Sequence, residues 1–139
     1  MSAQANIVLN DGKATPVAHT FNPKGSRVTA PGKTVSLWRD QSPANAEGYL
    51  SITEQHSAPN ANGLEKFRYL FEVPVLEQAA SGGSYVAAPK VAYVVVGSVE
   101  VWAPKRASQD ELKDIVAYVK NFTASTYFAD AIVKREPAW

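Results

Sequence analysis

The chain has no cysteine. That excludes a disulfide framework and a thiolate metal site, and it fits a cytosolic origin. It also lacks an excess of either charge: 14 Lys and Arg stand against 13 Asp and Glu, a formal net of +1. Bulk basicity therefore cannot carry a nucleic-acid role, and any such role must come from local placement of cations. Near-neutrality also allows many copies to pack together without strong self-repulsion. No apolar run is long enough to span a bilayer, so no membrane partner is expected. The start, MSAQANIVLNDGK, lacks a basic stretch followed by an apolar one, so no secretory signal is expected. There is no phosphate loop, no GxGxxG and no nucleophile elbow. His19 and His56 lie far apart at no metal-ligand spacing. No catalytic residue, metal or cofactor is expected, and the chain reads as a non-enzyme. Asn121-Phe122-Thr123 matches a glycosylation pattern that, without a secretory signal, reads as chance.

What is present is sheet first and helix last. Ala5 to Leu9 reads as a short strand, and Asn10-Asp11-Gly12-Lys13 as a tight hairpin turn. Ala14 to Phe21 is the expected return strand, with Pro16 marking an edge or bulge. Asn22-Pro23-Lys24-Gly25 reads as a second turn, and KTVSLWR at Lys33 to Arg39 as a third strand. A polar loop, Asp40 to Glu47, follows. In YLSITEQ, Leu50 and Ile52 share one face while Ser51, Thr53 and Gln55 share the other. His56 to Gly63 reads as a connection. In KFRYLFEVPV, Phe67, Tyr69, Phe71 and Val73 alternate with Lys66, Arg68, Leu70 and Glu72. Leu76 to Pro89 is a loop rich in Gly, Ser and Ala. The last strand, VAYVVVGSVEVW, carries Gly97, which predicts a bulge and leaves open which face Tyr93 and Val95 share with Glu100.

Ser108-Gln109-Asp110-Glu111 is a capping box that opens a helix. Leu112, Ile115, Val116 and Val119 form an apolar stripe at helical spacing. Asn121 to Thr123 is expected to break that helix, and a second short one holds Tyr127, Phe128, Ala131 and Ile132. Strands followed by helices predict an α+β fold with the helices on one face of an antiparallel sheet. Two short helices are too little to cover such a sheet, so a second copy of the chain is expected. The 139 residues form a single expected domain: hairpin 1–23, sheet 33–103 with loop 76–89, and helices 108–134.

Hydroxyls and an amide at Ser51, Thr53 and Gln55, beside the cations Lys66 and Arg68 and an aromatic such as Tyr93, can together bind single-stranded or looped RNA. The same residues also suit an ordinary solvated sheet face. Glu72 and Glu100 could approach as a carboxylate pair, but that solvated face is the simpler account of them.

In order and spacing the chain resembles the coat proteins of single-stranded RNA bacteriophages, the leviviruses. The resemblance covers nearly the full length. FNPKG at Phe21 to Gly25 is similar to the family's Asn-Pro-basic-Gly turn, and KFRYLFEVPV resembles its strand ending Glu-Val-Pro. Ala92-Tyr93, the polar helix start at Ser108, Asp110 and Glu111, and DAIVKREPAW at the end follow in the family's order. The resemblance implies an N-terminal hairpin, a five-stranded antiparallel sheet and two C-terminal helices. Two subunits would join edge to edge into a ten-stranded sheet, an interlocked homodimer whose helices reach across each other. Dimers would build an icosahedral shell around genomic single-stranded RNA, with the loop 76–89 at its symmetry axes. The protein would reside in the virion, assembled in the bacterial host cytoplasm, and its shell would not be disulfide-linked.

The resemblance also places RNA-hairpin binding on Ser51, Thr53, Gln55, Arg68 and Leu70, with Tyr93 as the stacking tyrosine. Lys66 joins them as a cation of the same face. The dimer contacts would fall on Leu112, Ile115, Val116 and Val119. Leu70 stands where the family usually has a lysine, and Val95 where it has Asn or Asp. The connection at His56 to Gly63 is longer than usual. These departures leave RNA packaging as the expectation and weaken hairpin recognition. The alternatives are a cellular RNA-binding dimer that does not assemble, and a small α+β enzyme or ligand-binding domain with a pocket between sheet and helices.

Overall fold

Alternation of apolar and polar residues builds six strands: β1 (Ile7–Asn10), β2 (Ala18–Ala30), β3 (Lys33–Asp40), β4 (Leu50–Ser57), β5 (Leu64–Leu76) and β6 (Val91–Pro104). They form one sheet in chain order, so each strand neighbours the next. Helices α1 (Gln109–Thr123) and α2 (Thr126–Val133) follow. The computed structural model describes residues 3–77 and 89–136, so the expected loop 76–89 lies almost wholly outside the described residues. The chain divides into two compact units, Met1–Trp102 with the sheet and Ala103–Trp139 with the helices.

The hairpin departs from the expected tight turn. β1 and β2 pair antiparallel from Asn10 opposite Ala18 to Ile7 opposite Phe21, which leaves residues 11–17 as a wide loop. Asp11 holds that loop closed. Its amide donates to the Val17 carbonyl at 3.0 Å, and its carboxylate accepts the Val17 amide at 2.9 Å. Lys13 beside it, with the Val17 amide, holds the Asp11 carboxyl well below the usual carboxylate range. Pro16, which has no amide to give a ladder, therefore sits in the loop and not in the return strand.

Asn22 to Gly25 is not a turn but part of β2. Pro23 lies opposite Trp38 and Ser26 opposite Ser36, so β2 carries one residue more than β3 over this step, a bulge. Gly25 absorbs the bend with φ +97, a conformation that favours glycine. The Gln4 side chain brackets the Gly25 peptide, accepting its amide at 3.1 Å. The chain reverses instead at Pro31-Gly32, where Gly32 has φ +71. The strand Ser26–Ala30 was hidden behind this turn-like sequence. β6 spans Val91 to Pro104 with Gly97 inside it, at a φ that is not positive.

Within the sheet unit, Phe21, Trp38 and Ile52 form the buried core, with Ile7, Leu50 and Phe71 packed against them. The Trp38 indole donates to the Ala5 carbonyl at 3.0 Å and ties the N-terminal segment to this face. Among the described residues of the unit, Asp40, 2 % exposed, is the buried charge. It accepts the Ser42 amide and hydroxyl, both at 2.9 Å, and meets His19 Nδ1 at 2.6 Å. Burial pulls its pKa upward most strongly, but the Ser42 amide, His19 and the Ser42 hydroxyl together outweigh it, and the pKa falls below its ordinary value. A carboxylate with a lowered folded pKa stabilises the fold fully above its unfolded pKa, about 4, and loses that contribution as pH falls through the folded value. Asp40→Asn is expected to cost about 1–3 kcal/mol at pH 7 and to flatten the fall in stability below about pH 4. Urea melts of both proteins across that range would check this, and parallel pH profiles would contradict it.

In the helical unit the capping box forms as expected. The Ser108 hydroxyl accepts the Glu111 amide at 3.3 Å, and Glu111 accepts the Ser108 amide at 2.7 Å. α1 does not break at Asn121 to Thr123. It continues to Thr123, because the next helix cap is Ser125, whose hydroxyl accepts the Phe128 amide. Phe122 and Phe128 meet edge to face at 5.9 Å across this joint. Neither helix contains a buried residue. On the apolar stripe of α1, Leu112 and Val119 are half-buried while Ile115 and Val116 are exposed, Val116 by 60 %.

Candidate nucleic-acid interface

The register of β4 against β5 sets the face. Ser51 lies opposite Glu72, Thr53 opposite Leu70, Gln55 opposite Arg68 and Ser57 opposite Lys66. Directly opposed residues point to the same side of a sheet. The alternation in both strands is therefore realised: Ser51, Thr53, Gln55, Lys66, Arg68 and Leu70 share one face. Ile52, Phe67 and Phe71 share the other, where His56 stacks on Phe67 at 4.7 Å.

The same register extends into β3 and β2. Arg39 stands opposite Ser51, Leu37 opposite Thr53 and Val35 opposite Gln55, and Arg27 stands opposite Val35. Arg27 and Arg39 thus join the polar face, and both are exposed. A shallow cavity of about 410 Å³ opens there between Lys24, Arg27, Arg39, Ser51, Thr53 and Glu72, floored by Val35 and Leu37. These arginines were not among the expected residues. The alternation of Val35, Leu37 and Arg39 marks Arg39 in the sequence, whereas Arg27 reaches this face only through the bulge at Gly25.

The acidic groups do not form a carboxylate pair. Glu72 accepts the Ser51 hydroxyl at 2.9 Å. Glu100, on β6, lies 2.8 Å from the Lys66 ammonium and 4.0 Å from Arg68 Nε, and it accepts the Trp102 indole at 2.7 Å. Lys66 also sits 4.6 Å above the Trp102 ring, a cation–π contact. Lys66, helped by Trp102 and Arg68, holds the Glu100 carboxyl below its ordinary range against the opposing effect of burial. Tyr93, earlier on β6, is 60 % exposed.

Chemically the face offers the cations Arg27, Arg39, Lys66 and Arg68 with Lys24 at the cavity, the hydroxyls of Ser51, Thr53 and Ser57, the Gln55 amide, and the carboxylates Glu72 and Glu100. Among the described residues no group of three or more His, Cys, Asp or Glu is placed to hold a metal ion. Among the described residues no helix is long and apolar enough to cross a membrane.

The levivirus coat protein family model matches residues 2–139. The chain is similar to the virus-like particle protein of bacteriophage NT-214, with 31 % identity over 99 % of this chain and 100 % of that one, at a TM-score of 0.87. It is similar to that of bacteriophage ESE058 at 29 % identity, over 99 % and 100 % of the two chains, also at 0.87. The capsid protein of bacteriophage GA shares the fold at 22 % identity and a TM-score of 0.69, with 94 % of each chain covered. No curated protein matches. With the six-stranded antiparallel sheet and the two C-terminal helices in place, the full-length match identifies this chain as a member of the levivirus coat protein family.

Proposed function

We propose that the chain is a shell subunit that works as an interlocked dimer and packages single-stranded RNA against its polar sheet face. The observation that carries this reading is β6. It is a 14-residue strand at the edge of the sheet, and Val91, Tyr93, Val94, Val95 and Val96 on it are all exposed. A long, apolar, unpaired edge is unstable in water and pairs with another strand. Pairing two copies along β6 removes both edges. The exposed stripe of α1 and the half-covered Phe67, Tyr69 and Val73 on the apolar face then supply complementary surfaces for the partner's helices.

The virus-like particles formed by the NT-214 and ESE058 proteins support assembly of this chain into a closed shell within a virion. The polar face supports RNA packaging through phosphate neutralisation, with Ser51, Thr53 and Gln55 adding hydrogen bonds, and the exposed Tyr93 of β6 offers an aromatic ring for stacking. Leu70, at the centre of the face, has no donor, so discrimination among RNA hairpins is expected to be weak. The family is one of structural coat proteins, and the chain is not an enzyme.

The test is sedimentation of the protein expressed in bacteria, followed by nuclease treatment. A fast-sedimenting fraction that keeps nuclease-resistant RNA supports the proposal. Slow-sedimenting protein with all its RNA digested would sink it, and would favour a dimer that binds RNA without enclosing it.

A further inference from the structure

The RNA face contains its own competitor for phosphate. Glu100 sits at the centre of a cluster that draws in Lys66, Arg68 and Trp102. Its Oε2 faces both cations, at 2.8 Å from Lys66 Nζ and 4.0 Å from Arg68 Nε, while Oε1 accepts the Trp102 indole N–H. The indole bond fixes the carboxylate in place, and the Lys66 ammonium is held between that carboxylate and the Trp102 ring. Each of the three charged side chains is about a third exposed, so the cluster is open to a ligand.

Arg68 shows what the cluster lacks. Among the described residues its Nε is buried without a hydrogen-bond partner. Glu100 is too far at 4.0 Å to satisfy it. A buried donor without an acceptor favours any ligand that brings an oxygen to it. A phosphate oxygen of RNA has the right chemistry, yet a phosphate placed there meets the Glu100 carboxylate at close range. Among the described residues Arg27 and Arg39, on the same face, form no ion pair; Glu72 borders their cavity and accepts the Ser51 hydroxyl.

We infer that Glu100 is a specificity-determining residue of the RNA face: by occupying Lys66 and Arg68 it weakens their hold on phosphate and limits indiscriminate binding of single-stranded RNA. The inference rests on the RNA-packaging reading of this face. It divides the face into an open pair of cations and a masked pair. RNA that approaches by charge alone gains from Arg27 and Arg39. It gains from Lys66 and Arg68 only by displacing the carboxylate, which a strand held in register by other contacts achieves more readily than one bound at random.

The test uses the full chain stripped of RNA and a labelled 20-nucleotide oligouridylate, which has no secondary structure. Binding is followed by fluorescence polarisation over a salt series. Glu100→Gln keeps the shape and the acceptor for Trp102 and removes the charge. It is expected to bind roughly three- to tenfold more tightly at low salt. Its plot of log affinity against log salt should steepen by about 0.7 for each phosphate gained. The gain should vanish when Lys66 and Arg68 are both changed to Ala. Glu100→Ala is a second variant, expected to act in the same direction. Unchanged or weaker binding by both Glu100 variants, while Lys66→Ala/Arg68→Ala weakens the wild type, overturns the role of Glu100 and leaves the RNA face standing. A gain that survives the loss of Lys66 and Arg68 overturns it too. If neither the cation changes nor the Glu100 changes alter binding, the RNA reading of the face falls with it.

Discussion

Val116→Asp is expected to leave no soluble dimer. Val116 lies on the apolar stripe of α1 and is 60 % exposed in the single chain, as is much of the surface around it. The proposed dimer buries that stripe against a partner, with more than roughly 2,000 Å² in the interface. An aspartate there becomes an unpaired buried charge, costing several kcal/mol, about 3–5 when nothing compensates it. Ile115→Asp should act in the same way. The single chain has no buried residue in either helix, so a stable monomer is not an available refuge. Aggregation or loss of helical signal is the expected result. Lys113, on the solvent side of α1 and paired with Asp110 at 2.8 Å, provides the control. Its change to Ala should leave the dimer intact. Size-exclusion chromatography with light scattering and circular dichroism would check all three. A well-folded monomer, or a normal dimer, from Val116→Asp contradicts the interlocked arrangement.

Changing Arg27 and Arg39 together to Ala should have the largest effect on RNA. Both are exposed and point to the face of Ser51 and Thr53, and among the described residues neither is in an ion pair. Lys66, by contrast, is already held by Glu100. Losing two open phosphate contacts should cut affinity for single-stranded RNA about tenfold or more at low salt, and should lower the salt slope by about 1.4. Lys66→Ala/Arg68→Ala should cost less, because the charge removed is partly compensated. Filter binding across a salt series separates the two double variants. A smaller loss for the Arg27 and Arg39 pair would show that open charge does not rank these cations.

The fold was legible where alternation ran unbroken. Leu50 to Gln55 and Lys66 to Val73 each keep strict period two, so their faces followed from the order of residues. Side-chain chemistry between distant residues was not legible. Asp11 closes a wide loop by reaching Val17, and local turn preference at Asp11-Gly12 gives no hint of it. Asn22-Pro23-Lys24-Gly25 carries the residues of a turn and of a bulge alike. The choice was made by pairing of Asn22 with Arg39 and Pro23 with Trp38, which no local signal contains. The end of α1 moved because weak helix formers at Asn121 and Thr123 cost only tenths of a kcal/mol, roughly 0.5 each, less than the cap at Ser125 decides.

The same division holds at the polar sheet face. Ser51, Thr53, Gln55, Lys66, Arg68 and Leu70 could be grouped from β4 and β5 alone. Arg27 depends on the bulge. Glu100 could not be placed because Gly97 left the phase of β6 open, and only its contacts with Lys66 and Arg68 put it on this face.

The proposed function turns on two copies completing each other along β6 and on such dimers closing into a shell. Electron microscopy of the purified recombinant protein tests it most directly. The expected result is closed particles of uniform size with RNA inside, whose reconstruction shows β6 of one subunit paired with β6 of its partner and α1 lying on the partner's sheet. Monomers or free dimers without particles, under conditions where the protein is folded, would contradict it, as would particles whose subunits meet through any edge other than β6.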